Sequence, residues 1–349
     1  MVILGVDAHK ATHTVVAVDG NGRQVGVRTV AATSAGHLEA LRWAARFDER
    51  SWALEDCRHL TRRLERELIA AGELVLRVPP KLMAGARRGA RTRGKSDPID
   101  ALAVARAALR EPDLPVAHLE GPARDLRLLV DHREDLVAER TRLQNRLRWH
   151  VHELDPELVI PVAALDRFKV LDRLAQQLVA HNGVVADIAG ALIGRCRDLT
   201  RTIKALERQI ATKVGPLAPS LLAVRGCGPL TAAKLIGETA GVRRFKSRAA
   251  FAMYNGTAPV PVWSGNTNRH RLNRGGNRQL NAALHRILVT QIRDTGPART
   301  YLEHRMANGN TKTEAIRALR RHLSNTVYQR LLEDSATQDH GAPVLEQAA

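Results

Sequence analysis

The sequence predicts an α/β domain joined to a longer, all-α region. Three observations predict it. The N-terminal stretch holds short apolar and β-branched runs separated by turn residues. Up to about Leu109 such runs then alternate with segments of helical period. From Leu126 onward the apolar positions keep helical or heptad spacing.

The elements follow in order. VILGV (2–6) and THTVVAV (12–18) are the first two strands. Asp19-Gly20-Asn21-Gly22 is a strong turn signal, and QVGVRTV follows as a third strand, so the three form an antiparallel meander. Ser34 reads as the N-cap of a helix carrying Leu38, Leu41 and Ala45. SWALEDC (51–57) is a fourth strand. Residues 59–71 place Leu60, Leu64, Leu68 and Ile69 on one helical face, and ELVLRV (73–78) is a fifth strand closed by Pro79 and Pro80. A helix runs from Asp97 to Leu109. The order β-β-β-α-β-α-β-α is that of the ribonuclease H-like fold, assigned to residues 1–115.

Pro112 and Pro115 mark a break. Leu129, Leu136, Leu143 and Leu147 then recur at heptad-like spacing, with Arg133 and Arg140 between them. A second narrow seam runs from about Val185 to Val214 through Ile188, Leu192, Leu199, Ile203, Leu206 and Ile210. Two such helices predict an antiparallel coiled-coil arm over 116–214, suited to a dimer interface. Pro216 and Pro219 open a third, mostly helical region, 215–334. Its first segment, LLAVRGCGPLTAAKLIGE, resembles a helix-hairpin-helix, in which Gly226 and Gly228 would let backbone N–H groups approach a DNA phosphate. A plain helix-turn-helix corner is the structural alternative. Residues 257–277 read as a Pro/Gly/Asn-rich loop, helices continue through Leu332, and 335–349 is expected to be a disordered tail.

Charge narrows the function. Lys and Arg number 54 against 36 Asp and Glu, a net +18 that calls for a polyanionic partner. A membrane surface would also attract it, but no apolar stretch is long enough to span a bilayer and no signal peptide is evident, so the expectation is a nucleic-acid partner in a reducing cytosol. The three cysteines, Cys57, Cys196 and Cys227, show no zinc spacing. Aromatics at 3% argue against base-stacking platforms, leaving recognition to arginines, phosphates and shape.

Four carboxylates stand where this fold order brings residues together. Asp7 follows the apolar run of the first, central strand. Glu55 ends the fourth strand, beside the first. Asp97 and Asp100, three apart, share a face at a helix start. Clustered carboxylates repel one another and raise their own pKa values, and a hard divalent cation, Mg²⁺ or Mn²⁺, removes that cost. Two such ions would suit phosphodiester chemistry. Asp97-Pro98-Ile99-Asp100 is also a good helix start, with Asp97 as N-cap, which is the structural alternative for that pair. Just before it, Arg87, Arg88, Arg91, Arg93 and Lys95 form a basic loop able to guide a phosphate backbone.

In the third region Ser264 is followed by Arg269, Arg271, Arg274 and Arg278. A serine oxygen can attack a phosphodiester and hold the DNA end as a phosphoserine, with arginine forks neutralising the transition state. Taken alone, Ser-Gly is equally a turn.

The combination of GVDAHK, KSDPIDA, the G-x-G hairpin and an SG loop running into LNRGGNRQLN resembles the DEDD-type insertion-sequence transposases, bridge-RNA-guided serine recombinases, from about residue 2 to 332. The resemblance implies a RuvC-like N-terminal domain, a coiled-coil arm and a C-terminal transposase domain. It implies Asp7, Glu55, Asp97 and Asp100 as the metal-binding set and Ser264 as the nucleophile, in a composite site shared between protomers. It further implies donor and target DNA, a structured guide RNA, and a homodimer that pairs into a tetramer. Family members often carry a second serine where this chain has Trp263, so Ser264 is the sole candidate in the loop and Ser247 the fallback. Two rivals remain open: a metal-dependent nuclease or junction resolvase that directs water, and a non-enzymatic architectural protein.

Overall fold

The computed structural model describes all residues except 56–59, 80–81, 83–95, 112–113, 115, 118–120, 265–266, 272, 274 and 342–349. The chain forms two compact units, Met1–Glu120 and Gly121–Ala349.

The first unit is built on a five-stranded sheet in the order β3-β2-β1-β4-β5. Strands β1 (Val2–Ala8), β2 (Thr12–Val18) and β3 (Gln24–Ala31) are antiparallel neighbours. Strand β4 (Arg50–Glu55) runs parallel to β1, and β5 (Val75–Val78) parallel to β4. This order and these directions are those of the ribonuclease H-like fold. The β2–β3 turn forms because the Asp19 carboxylate accepts the Asn21 and Arg23 N–H groups at 2.9 Å each, and Gly22 takes φ +76°.

The two faces of β1 are read off its alternation. Leu4 and Val6 pack with Trp52 and Leu54 beneath helices α1 (Ser34–Ala44) and α2 (Arg62–Ala70). Ile3 packs with Ala53 on the opposite face beneath α3 (Asp97–Arg110), against Ala101, Val104 and Ala105. Two expectations at helix starts are corrected. Thr33, not Ser34, caps α1, accepting the Gly36 N–H at 3.2 Å. The helix buries Gly36, His37, Ala40 and Ala44 and leaves Leu38 exposed. The reason is Gly36, where a Cβ would sit 2.0 Å from the Ala31 oxygen, so α1 lies against β3 on that side. Likewise Ser96 is the N-cap of α3, and Asp97 is its first helical residue.

In the second unit, α4 (Pro122–Leu154) and α6 (Val184–Leu217) run antiparallel. Arg133 reaches Glu207 at 3.0 Å, Arg140 reaches Thr200 at 3.1 Å and Arg195 reaches Glu139 at 3.2 Å. At one end they enclose a core with a further helix not expected from the heptad seams, α5 (Phe168–Leu178): Leu143, Leu147 and Val151 meet Leu171, Leu174 and Leu192. At the other end Leu126, Val130, Ile210 and Val214 share a core with Phe251, Leu280 and Leu284. That core is closed by α7 (Pro219–Leu222), α8 (Pro229–Thr239), α9 (Arg248–Tyr254), α10 (Arg278–Arg293), α11 (Pro297–Ala307) and α12 (Lys312–Gly341).

Two further expectations are overturned. Residues 257–277 are not simply a loop: β6 (Val260–Ser264) and β7 (Thr267–Arg271) pair as an antiparallel hairpin, with Ser264 opposite Thr267. Pro261 is compatible with it because both strands of a two-stranded sheet are edges, on which alternate backbone nitrogens face away from the partner. The ordered chain also passes Ser335. The buried Asp334 carboxylate accepts the Ser220 and Leu221 N–H groups at 2.8 and 3.1 Å, and Gln338 donates to the Leu217 oxygen at 2.7 Å, which holds α12 in place. Residues 342–349 of the expected tail lie outside the described residues. Among the described residues no helix is long and apolar enough to cross a membrane.

Candidate metal centre and nucleic-acid interface

Alternation along β1 puts Asp7 on the same face as Ile3 and Gly5, the face covered by α3. Gly5 sets how close the helix comes. A Cβ there would lie 2.3 Å from the Ala101 oxygen and 2.4 Å from the Ala105 nitrogen, so the α3 backbone rests directly on β1. Asp97 and Asp100, in the first turn of α3, are thereby carried to the end of the strand. Val6 pairs with Leu54 in parallel register, so Asp7 and Glu55 follow at the same ends of adjacent strands.

His9 completes the group. Its N–H bonds to the Thr12 oxygen at 2.9 Å, closing the β1–β2 turn. Its Nε2 lies 3.1 Å from Asp7 Oδ2 and 3.4 Å from Asp97 Oδ1. One donor atom from each of Asp7, His9 and Asp97 falls within 4.8 Å of the others. Asp7 is largely buried and Asp100 is buried, while Asp97 is half exposed. Burial raises the Asp7 pKa; His9 opposes that, and the charges of Asp100 and Asp97 add to it. A desolvated carboxylate repelled by two others is the condition a divalent cation relieves, so this donor set fits such an ion. Within GVDAHK nothing but the Asp-x-His spacing at a strand end marks His9 as a member of this group.

The other expected site residues are distributed as follows. Arg87, Arg88, Arg91, Arg93, Lys95 and Arg274 lie outside the described residues. Ser264 ends β6, and Arg269 and Arg271 belong to β7. Arg271 and Arg278 are exposed. Gly226 has φ +83°, and a Cβ on it would meet the Ile287 oxygen at 3.0 Å, so it packs against α10; Gly228 precedes α8 with open space around it. The preceding helix, α7, is a single turn. Ser247 caps α9, its Oγ accepting the Ala250 N–H at 3.2 Å. The RGGNRQL block has a structural explanation: Gly276 crosses Gly256 where a Cβ would be 2.3 Å from its nitrogen, and Asn277 caps α10 while donating to Glu238 at 2.7 Å.

Comparison with known proteins bears on this arrangement. A family model described as "Transposase" matches residues 4–156, and one described as "Transposase IS116/IS110/IS902 family" matches 218–303. The chain is 27% identical to the insertion element IS116 uncharacterized 44.8 kDa protein of Streptomyces clavuligerus, over 99% of this chain and 98% of that one. It is 27% identical to the insertion element IS900 uncharacterized 42 kDa protein of Mycobacterium paratuberculosis, over 95% and 96%. Among solved structures, Thermus thermophilus RuvC in complex with a Holliday junction substrate aligns over 31% of this chain and 91% of its own, at 17% identity and a TM-score of 0.25. With transposase models on both of its units and relatives in insertion elements along nearly its whole length, the chain belongs to the IS116/IS110/IS902 family of DNA transposases.

Proposed function

We propose that this transposase cuts and rejoins DNA strands through a phosphoserine intermediate on Ser264, with divalent metal ions, Mg²⁺ or Mn²⁺, held by Asp7, Glu55, Asp97 and Asp100. The observation that carries the metal half is the gathering of Asp7, His9 and Asp97 donor atoms within 4.8 Å beside a desolvated, repelled carboxylate. A bound cation would supply charge neutralisation at the phosphoryl group. His9 holds Asp7 in orientation by its ring nitrogen. The Ser264 oxygen, on losing its proton, bonds to phosphorus as the bond to a deoxyribose oxygen breaks, and that oxygen takes up a proton. Attack by a hydroxyl of the partner strand reverses the step and frees the serine, so no external energy source is required. Arg269, Arg271, Arg274 and Arg278, close to Ser264 in sequence, supply cations for the DNA phosphates on either side of the cut, and the basic run Arg87 to Lys95 guides the backbone. Gly228, open at the start of α8, is the better placed of the two hairpin glycines to meet a phosphate.

The family resemblance supports three finer parts of this reading: a structured RNA that pairs with donor and target DNA, assembly as a homodimer that pairs into a tetramer, and action in the bacterial cytoplasm. A second reading, a water-directing nuclease or junction resolvase, is favoured by the fact that the carboxylate set lies wholly in the first unit.

The test is a denaturing gel of wild type and Ser264→Ala with Mg²⁺, the element-flanking RNA and end-labelled donor and target DNA. The expected result is a protein-linked DNA species that disappears in Ser264→Ala and with EDTA. Cleavage by both proteins without an adduct refutes the serine mechanism and moves the chemistry to water.

A further inference from the structure

We infer that a cationic cleft in the second unit, between the β6–β7 hairpin and helices α11 and α12, seats the phosphodiester backbone of a DNA strand within about four nucleotides of the bond that is cut. The cleft has a volume of about 800 Å³. Five arginines line it: Arg271 from β7, Arg305 from α11, and Arg317, Arg320 and Arg321 from α12.

Three features make it a built site rather than a solvated charge run. The first is an excess of positive charge: five arginines stand against one lining carboxylate, Glu314, and among the described residues no ion pair joins any of the five to a carboxylate. The one acidic lining residue, Glu314, uses its carboxylate to accept the Thr311 N–H and hydroxyl at 2.9 and 2.8 Å, in a capping box at the start of α12. The second is unmet hydrogen-bonding capacity. The Nε atoms of Arg305 and Arg320 are buried and have no partner. The third is fixed orientation. Arg320 Nη1 donates to Asn281 Oδ1 at 2.7 Å, Asn281 itself donates to the Asn255 oxygen at 2.9 Å, and Arg321 is tied to Asn325. Burial and the Arg317 charge lower the Arg320 pKa, and burial and Arg248 lower that of Arg321. Guanidinium groups held together against their own repulsion are stabilised by an anion, and their planar forks match phosphate oxygens in pairs.

The hairpin argues for a strand of DNA. Val260 pairs with Arg271 and Ser264 with Thr267, so the backbone at Arg271 stands four residues along the ladder from the level of Ser264. At about 3.3 Å per residue this is about 13 Å. A nucleic-acid strand rises about 3.4 Å per nucleotide along its axis and its phosphates lie farther apart than that because the backbone winds around the axis, so the span covers no more than about four nucleotides. That spacing rests on the phosphoserine reading; binding in the cleft does not.

The experiment measures DNA affinity against salt for full-length wild type, Arg317→Ala, Arg305→Gln and the control Arg299→Ala, whose exposed side chain pairs with Glu303. Arg317 is exposed, so its truncation leaves the core intact. The expected result is several-fold weaker DNA binding for each cleft variant, with a salt slope shallower by about one, and no change for the control. Folded cleft variants with wild-type affinity and slope overturn the proposal, as does a loss confined to RNA. A neutral methylphosphonate walked along the labelled strand locates the contact: Arg317→Ala should lose its effect when one linkage within about four nucleotides of the cut is neutral, and an effect lost only farther away overturns the spacing. The two readings fail separately. Weakened binding without any protein–DNA adduct in wild type leaves the cleft standing and removes the serine. A normal adduct with unweakened variants does the reverse.

Discussion

Gly5→Ala tests whether close packing of α3 on β1 creates the metal centre. The added Cβ would lie 2.3 Å from the Ala101 oxygen, 2.4 Å from the Ala105 nitrogen and 2.6 Å from the Ala105 Cβ, where ordinary contact begins at 3.4 Å. Relieving this moves the helix by about 1 Å, because the two nearest atoms are backbone and cannot rotate away. Overpacking of this kind costs about 1–3 kcal/mol, which a five-stranded sheet with its own second core under α1 and α2 can absorb. The functional loss is larger in proportion. Asp97 and Asp100 ride on the displaced first turn while Asp7 stays on the strand, and a misplacement of about 1 Å in a reacting constellation costs about 100-fold in rate. Single-turnover cleavage with Mg²⁺, Mn²⁺ binding and far-ultraviolet circular dichroism on the same preparation separate the two effects. The expected protein is folded, slightly less stable and poor at binding the cation. Adding Ala105→Gly should not rescue it, because that change removes only the 2.6 Å contact. A folded Gly5→Ala protein with wild-type cation affinity and rate would refute the reasoning.

Three further outcomes follow from named contacts. Burial and the stacked His37 ring hold the His13 pKa near 4, against 6.5 in the unfolded chain. Between those values the unfolded state binds the extra proton, so stability rises with pH. Urea unfolding should show a loss of about 2 kcal/mol on going from pH 7 to pH 5, absent in His13→Phe; equal acid sensitivity in both proteins would remove His13 as the cause. Asp334→Ala leaves the buried N–H groups of Ser220 and Leu221 unpaired and should cost about 3 kcal/mol, with proteolysis beginning in the C-terminal half of α12; a change below 1 kcal/mol would mean the cap is dispensable. Ser247→Ala removes the α9 cap and should lower stability by about 1 kcal/mol while leaving adduct formation intact, and loss of the adduct in a folded protein would return Ser247 to candidacy as nucleophile.

The parts of the molecule that were legible in the sequence are those governed by short-range pattern. Alternation in VILGV and THTVVAV, the Asp19-Gly22 turn and the Asp97-Pro98 helix start each reflect local sterics and hydrogen bonding, and together they order a sheet with β1 at its centre. From that order alone Asp7, Glu55, Asp97 and Asp100 could be nominated, because the end of a central strand and the start of the helix above it must converge. His9 escaped because nothing local distinguishes it. Its 3.4 Å approach to Asp97 exists only once Gly5 admits α3 against the strand. The hairpin of β6 and β7 escaped because Pro259, Pro261 and the asparagines speak for a loop, and because TNRHR, the second strand, has no apolar residue whose alternation could mark it. The arginine cleft was hidden most deeply. Nothing local distinguishes Arg305, Arg317, Arg320 and Arg321 from other charges in helical segments, and Arg271 stands as one cation of the run after Ser264. They surround one cavity because the chain crosses itself at Gly256 and Gly276 with no room for a side chain between them. Local pattern therefore nominated the acidic residues, whereas the arginines of the cleft come together through contacts between segments far apart in the chain. A single glycine sets the approach in each case: Gly5 beneath the carboxylates and Gly276 behind the arginines.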